Sequence, residues 1–441
     1  MSLNEATLAY IAAHAGDDVA HLALHPSKDP QVDMPAALQQ IAGRQKAMEK
    51  LPEWAAIDGI LYPSKVSLEQ CSSFQTAEYK ASLLEGTSFA DFSGGFGVDT
   101  AAFAKRFAKG WYVEPQEELC ELFRHNCKAL AINNINIIKG KLEDHLDDIA
   151  HVDMIYLDPS RRDTHGQRVV SLADCTPNLL EWKSALLEKC NTLMVKMSPM
   201  IDIYQTLRVL PKTYAVHVVA VEGECKEVVF LLTRNTPTIG ICRDEIFCVS
   251  TTDTNATDSN ITGANATDSI LTDTNTTGTA IIAVDICRNK TDNDNCQYAM
   301  HRVTTTLEAE RATPPQIVTE VGAYLYEPNA AIMKAGIFNT LSQQYLIGKL
   351  AKSTNLFTAN DLREDFPGRV FRIKAVHDFH PRKTAKELSD LESASIAVRN
   401  FPLSAEELRK TLKIKDGNAY YLFGCTLSDG RKVILQTTKQ Y

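Results

Sequence analysis

An α/β protein built on an open, mostly parallel sheet is the fold this sequence predicts, and three observations carry it. Residues 89–100, FADFSGGFGVDT, join a short apolar strand, an acid, a glycine-rich turn and an amphipathic helix without a gap. Strands and helical stretches then alternate as far as residue 163. Acids stand at the carboxyl ends of four successive strands: Asp91, Glu114, the Glu143 and Asp144 pair, and Asp158. That edge of an open α/β sheet is where ligands bind.

The N-terminal region, residues 1–85, shows helical spacing and few strand signals, with helices expected over 36–49 and 76–86. The first strand leads into Gly94, Gly95 and Gly97, which tolerate positive backbone dihedrals and let a ligand approach the main chain. The helix opening at Val98 aims free N–H groups and the positive end of its dipole at the same place. A glycine turn alone also serves merely to pack a helix on a strand, so the downstream acids decide. Glu114 closes the second strand, 111–113, where an acid would accept hydrogen bonds from two ribose hydroxyls. A third strand, 135–140, precedes Glu143 and Asp144, and a fourth, from 152, closes on Asp158 and Pro159. Strands over 192–199, 214–221 and 226–233 complete the sheet, and the last two lie close enough in sequence to form a hairpin.

With these residues in view, the chain resembles class I S-adenosylmethionine-dependent methyltransferases. DFSGGFG resembles their first motif, Glu114 the ribose acid, Glu143 and Asp144 the adenine-side acid, and DPSR the catalytic fourth motif. The runs CSSFQTAEYK, DFSGGFGVDT, YVEPQEELC, LDPSRRD, VKMSPMID and ECKE resemble more closely a bacterial family of these enzymes with a C-terminal THUMP-like domain. The resemblance implies a Rossmann-like seven-stranded methyltransferase sheet over 86–235 and S-adenosylmethionine as cofactor. The cofactor would be held by Asp91, Ser93, Gly94, Gly95, Phe96, Gly97, Glu114, Glu143, Asp144 and Asp158. A nicotinamide dehydrogenase would share the strand, turn and ribose acid, but counting G-x-G-x-x-G from Gly95 puts Thr100 at the third glycine, and it has no use for an acidic Asp-Pro.

Catalysis is expected around Asp158 and Pro159 with Arg161, Arg162, Lys196 and Ser198. Family members that methylate amino groups follow the acid with Pro-Pro-aromatic. Here Ser160 and Arg161 replace the second proline and the aromatic, leaving Arg161 and Arg162 to clamp a phosphate, to stack on a base, or to pair with Asp163. A lysine inside an apolar strand is costly unless paired, so Lys196 is expected to neutralise Asp158 or Asp202. Glu222, Glu224, Lys226 and Glu227 read as a solvated hairpin near the same edge. Neither DPSR nor KMSP offers a cysteine nucleophile and Cys175 reads as a buried thiol, which favours a nitrogen or oxygen acceptor without a covalent intermediate.

Beyond 236 a small ferredoxin-like α+β domain is expected to 345, with strands 245–250 and 281–286. Residues 251–279 are rich in Thr, Asn, Asp, Ala and Ser and hold an imperfect tandem repeat that cannot bury enough apolar surface to offset its ordering entropy. Its four N-x-T sequons, at Asn255, Asn260, Asn265 and Asn275, read as accidents of composition. A THUMP-like domain is expected over 346–441, its last part in the order βαβαββ, with a Ser404/Glu407 capping box and a turn at Ser428-Asp429-Gly430. From Arg369 to Tyr441 there are 14 Lys and Arg against 8 Asp and Glu, a surplus of 6 that leaves −15 for the rest of a chain carrying −9. A basic tail on an acidic enzyme suits phosphate contact, and the resemblance to THUMP-like domains implies structured RNA, tRNA or rRNA, met by Arg369, Arg372, Lys374, Arg382 and Lys383. An RNA-binding protein without catalysis, or a methyltransferase for protein or small molecules, remains open.

Composition is that of an ordinary globular chain, 44% hydrophobic and 23% charged over 441 residues, enough for two to four domains. No apolar run is long enough to span a membrane and the N-terminus lacks the basic flank of a signal peptide, so a cytoplasmic protein is expected. Eleven cysteines without a C-x-x-C pair suggest neither disulfides nor a metal site. If the repeat is unpacked, deleting residues 255–275 leaves the melting temperature and cofactor affinity nearly unchanged. Differential scanning fluorimetry checks this, and a loss of several degrees shows that the segment is packed.

Overall fold

A computed structural model describes residues 3–159, 175–234, 278–289 and 297–440. They fold into two units, one comprising Met1–Tyr214 and the segment from Lys226, the other Ala215–Cys225, the segment ending at Arg288, and Tyr298–Tyr441.

The first unit begins with α1 (Glu5–Ala13), α2 (Val19–Leu24), α3 (Met34–Lys50), α4 (Pro52–Ala55), α5 (Lys65–Gln70) and α6 (Phe74–Ser82). Asn, Asp or Ser side chains cap five of these six helices, which is why so many short helices hold in sequence. Then come β1 (Gly86–Asp91), α7 (Val98–Ala104), β2 (Phe107–Glu114), α8 (Glu117–Ala129), β3 (Ile135–Lys139), α9 (Leu142–His145) and β4 (Val152–Leu157). After α10 (Leu179–Lys189), β5 (Cys190–Met197) and α11 (Ile203–Val209), β6 (Thr213–Val221) and β7 (Glu224–Thr233) are joined by a two-residue turn. Glu222 and Gly223 hold that turn with φ of +52° and +74°, the mirror-image geometry that suits a tight hairpin.

Within the first unit the strand order is β3-β2-β1-β4-β5-β7, parallel except for β7, which runs antiparallel to β5. The central strands are buried on both faces, so they read as apolar runs rather than alternations. β2 is longer than the sequence suggests. It extends N-terminally past the expected 111–113, and Gly110 is a strand residue whose missing side chain makes room for the Phe89 ring, 2.3 Å from where a Cβ would stand. The N-terminal region packs on α8 and on the glycine turn. Asn126 of α8 is fully buried and both donates to and accepts from the main chain of Leu61, and Trp54 meets the Phe96 ring edge to face at 5.1 Å.

In the second unit β8 (Ala280–Asn289) runs parallel to β6, with Ile282 opposite His217, and β9 (Gln297–Thr306) follows it in the sheet. β8, read from the sequence as a strand of the small domain over 236–345, thus pairs with β6. Ile281, Ala283, Val284 and Ile286 are all buried, and a strand apolar on both faces is stable only inside a covered sheet. The expected strand 245–250 and nearly all of the repeat lie outside the described residues.

After α12 (Leu307–Ala312) come β10 (Tyr324–Pro328), α13 (Ala330–Ala335), α14 (Phe338–Tyr345), β11 (Gly348–Ala351) and β12 (Thr354–Ala359). β13 (Gly368–Asp378), α15 (Pro381–Glu387), β14 (Ser395–Arg399), α16 (Ala405–Leu412), β15 (Tyr421–Thr426) and β16 (Lys432–Lys439) follow in the βαβαββ order read from the sequence. The Ser404/Glu407 capping box forms in full. One seven-stranded sheet, β11-β12-β10-β13-β16-β15-β14, unites both halves of this region. Its two cores lie on opposite faces, one around Phe371, Phe423 and Leu435, the other between the sheet and α15 and α16 around Leu388, Leu408 and Leu422.

Candidate functional site

Three of the strand-end acids stand in two hydrogen-bonded groups at the carboxyl edge of the first sheet, Asp91 with Asp158 through Ser93, and Glu114 with Gly95. Asp91 is fully buried at the end of β1, and its carboxylate accepts from the Ser93 N–H (2.8 Å), the Ser93 hydroxyl (3.1 Å) and the Thr100 hydroxyl (2.5 Å). Burial pushes this carboxyl up to about 7 against those hydrogen bonds. Asp91 thus shapes the turn rather than facing a ligand. Ser93 then accepts from the Asp158 N–H at 2.7 Å, tying the glycine turn to the end of β4.

The three glycines differ in kind. A Cβ on Gly94 would stand 2.3 Å from the Tyr112 ring, and one on Gly97 2.1 Å from Phe123, so both are small because aromatic rings fill the space. Gly95, at φ +53°, would meet nothing nearer than the Ser93 carbonyl at 3.7 Å. It faces open space. Its N–H donates to Glu114 (2.9 Å), whose second oxygen accepts from the Gln116 N–H (3.0 Å), and the Tyr112 hydroxyl donates to its carbonyl. Each Glu114 oxygen keeps a second acceptor direction. Phe96 turns its ring into the core against Trp54 and Tyr62, so only its main chain is left at the turn. Glu143 and Asp144 are exposed in the first turn of α9.

At the next strand ends, Lys196 of β5 pairs with Asp158 in direct contact, the first of the two partners expected for it. Asp202 instead caps α11 by accepting from the Gln205 N–H at 2.8 Å. Ser198 accepts from the Met200 N–H, Pro159 is buried, and Arg161 and Arg162 lie outside the described residues.

Behind this pair sits a second lysine that the sequence reading missed. Lys80 of α6 is 0% exposed, and its ammonium group contacts Glu227 (2.6 Å), Asp99 (3.2 Å) and the Ser72 hydroxyl (3.1 Å). Asp99 also accepts from Ser72 and from the Tyr156 hydroxyl, both at 2.8 Å. The solvated hairpin is corrected for Glu227, which is buried because β7 turns it inward onto Lys80. Burial alone would raise Asp99, but Lys80 and Lys196 hold it below the usual carboxylate range, whereas for Glu227 burial wins and raises it. Burial likewise pulls against the charge on Lys196, yet Asp158, Asp99 and Glu227 together keep it strongly protonated. The signal was in the sequence: Lys80 lies on the same helical stripe as Thr76, Ala77 and Ala81, all buried.

Of the basic residues expected to meet RNA, Arg369 is committed elsewhere. It and Arg399 both pair with Glu327, a buried carboxylate at the junction of β10 and β13. Arg372, Lys374 and Arg382 are exposed, and Lys383 is exposed but pairs with Glu387 one turn along α15.

Comparison with known proteins bears on this arrangement directly. A family model described as THUMP domain-like matches residues 368–439, and one described as a ferredoxin-like domain matches 324–367. A protein from Porphyromonas gingivalis W83, provisionally named a methyltransferase, is 30% identical over 100% of both chains with a TM-score of 0.80. A provisional RNA methyltransferase from Pyrococcus horikoshii (15% identity, 44% of this chain and 98% of that one) and an rRNA methylase from Streptococcus thermophilus (14%, 36% and 95%) reach TM-scores of only 0.31 and 0.28, too low to weigh. No curated protein matches the chain. The sheet is that of the methyltransferase fold. The chain belongs, with the Porphyromonas protein, to the family that joins this fold to C-terminal ferredoxin-like and THUMP-like domains.

Replacing Lys80 with Met leaves two buried carboxylates facing each other, which costs about 3–5 kcal/mol. Lys46→Ala, removing the partner of Glu49 in a solvent-exposed pair on α3, leaves stability nearly unchanged. Urea denaturation of both variants checks the contrast.

Proposed function

We propose that this protein is an S-adenosylmethionine-dependent methyltransferase acting on structured RNA, tRNA or rRNA, at a nitrogen or oxygen acceptor and without a covalent enzyme intermediate. The observation that carries the reading is the open space over Gly95, flanked by Glu114 on one side and by Asp158, through Ser93, on the other. A side chain would fill that cradle and a nucleoside cofactor fits it. Gly95 would admit the cofactor to the main chain and Glu114 would take its ribose hydroxyls with the acceptor directions left free. When bound, S-adenosylmethionine supplies an electrophilic methyl group on a sulfonium.

The remaining work falls to this chain's own residues. Asp158 is 35% exposed, so a substrate N–H or O–H can reach it, and by accepting that hydrogen bond it orients the acceptor's lone pair. Lys196 holds Asp158 in place and stays charged because three carboxylates surround it. Arg161 and Arg162 are proposed to meet the substrate beyond Asp158. Among the described residues no thiol near the site is activated: Cys175 is buried, and burial pushes Cys71 up to about 11 and Cys190 of β5 up to about 12. RNA is favoured over protein or small molecules by the THUMP-like match and by the surplus of 6 positive charges from Arg369 to Tyr441.

Glu114→Ala is expected to weaken S-adenosylmethionine about ten- to a hundred-fold by calorimetry, the value of a charged hydrogen-bond acceptor. Asp158→Ala should keep cofactor affinity within a few-fold while abolishing transfer of tritiated methyl groups into RNA from a knockout strain. Label entering protein or small-molecule fractions instead overturns the RNA substrate, and adenine dinucleotides binding in place of S-adenosylmethionine overturn the methyltransferase reading.

A further inference from the structure

α15 and the C-terminal end of α16 enclose an open groove in the second unit. Its floor is apolar, with Ala385, Leu388 and Leu391 on one side, and its rim carries Arg382, Lys386 and Lys413 with no acid among the lining residues. The neighbouring cations are satisfied within the fold: Lys383 pairs with Glu387, Lys410 with Glu406 and Arg409 with Asp416. Among the described residues no carboxylate partners the three on the rim. Arg382 is also placed against the local field, since it stands in the first turn of α15, where the helix dipole disfavours a cation. Lys413, in left-handed backbone at φ +59°, projects from the cap of α16. Three like charges around one apolar groove repel one another until an anion arrives.

We propose that this groove seats one unpaired nucleotide of the RNA, its base lying on the apolar floor and its flanking phosphates on Arg382, Lys386 and Lys413. This rests on the RNA reading above and moves the principal contact from β13 to the two helices. The lining holds no aromatic ring, so the base is sandwiched by aliphatic side chains and the Arg382 guanidinium plane and is read without sequence preference. A duplex offers phosphates to the rim but keeps its bases from the floor.

Fluorescence anisotropy on the full chain tests this, using a labelled mixed-sequence single-stranded RNA of about twelve nucleotides and a duplex of the same length over a range of salt. The unaltered protein should bind the single strand more tightly. R382A/K386A/K413A should weaken that binding at least about ten-fold and lower its salt slope by about two, since each single-strand phosphate contact contributes roughly 0.7. The charge-matched control K352A/K432A/K439A should stay within about two-fold of the unaltered protein, and circular dichroism melts should show both variants folded. Leu391→Ser, which adds no charge, should weaken the single strand and leave duplex binding alone. If the groove variant keeps the full salt slope while the control loses it, the groove is wrong and the RNA reading stands. Equal binding of duplex and single strand overturns the nucleotide seat. No binding of either RNA by the unaltered protein overturns the RNA reading itself.

Discussion

Lys80 is a fully buried ammonium group, and its pairing with Glu227 and Asp99 is the constraint from which the rest of the site follows. An isolated charge there would cost several kcal/mol, so the fold must bring α6, α7 and β7 together in one arrangement that satisfies it. Ser72 and Tyr156 both donate to one oxygen of Asp99, and its other oxygen, buried without a hydrogen bond, faces the Lys80 ammonium at 3.2 Å. A buried network of this kind tolerates little displacement, because any partner that drifts leaves a charge unpaired in low dielectric. It therefore fixes the carboxyl ends of β4 and β5, which carry Asp158 and Lys196, and the start of α7 behind the glycine turn.

The electrostatic pattern runs outward from that point. Deep in the unit two carboxylates face one lysine, and the surplus negative charge acts on Lys196, which spans the distance to the half-exposed Asp158. On the other side Asp91 and Ser93 hold the glycine turn to the same strand end. The proposed cofactor cradle and the proposed acceptor site are thus neighbours along the glycine turn, which the Asp158 N–H ties through Ser93 to the end of β4. Such preorganisation is what methyl transfer needs, since the reaction asks for alignment more than for new covalent chemistry.

Much of this was legible in the sequence. The strands, the capping box at Ser404 and the acids at strand ends follow from apolar periodicity and local turn chemistry, which depend on near neighbours. The runs that carry the family resemblance hold Ser72, Lys80, Asp99, Asp158, Lys196 and Glu227, yet that these side chains meet was not legible, because Lys80 and Glu227 are 147 positions apart and no local rule pairs them. Gly110 was hidden for a similar reason: its role is to make room for Phe89 on another strand. β8 was placed in a separate domain because a strand's own sequence does not say which strand it will pair with. The commitment of Arg369 to Glu327 was likewise invisible until β10 and β13 were seen side by side.

The central claim is that the glycine turn, Glu114 and Asp158 form one cofactor and acceptor site, and a crystal structure with S-adenosylhomocysteine tests it most directly. The account predicts the ligand against the Gly95 main chain, its ribose hydroxyls on Glu114 and its sulfur directed toward Asp158. A ligand bound elsewhere, or a Glu114 that keeps both its main-chain partners while the ribose lies away from it, would contradict the account.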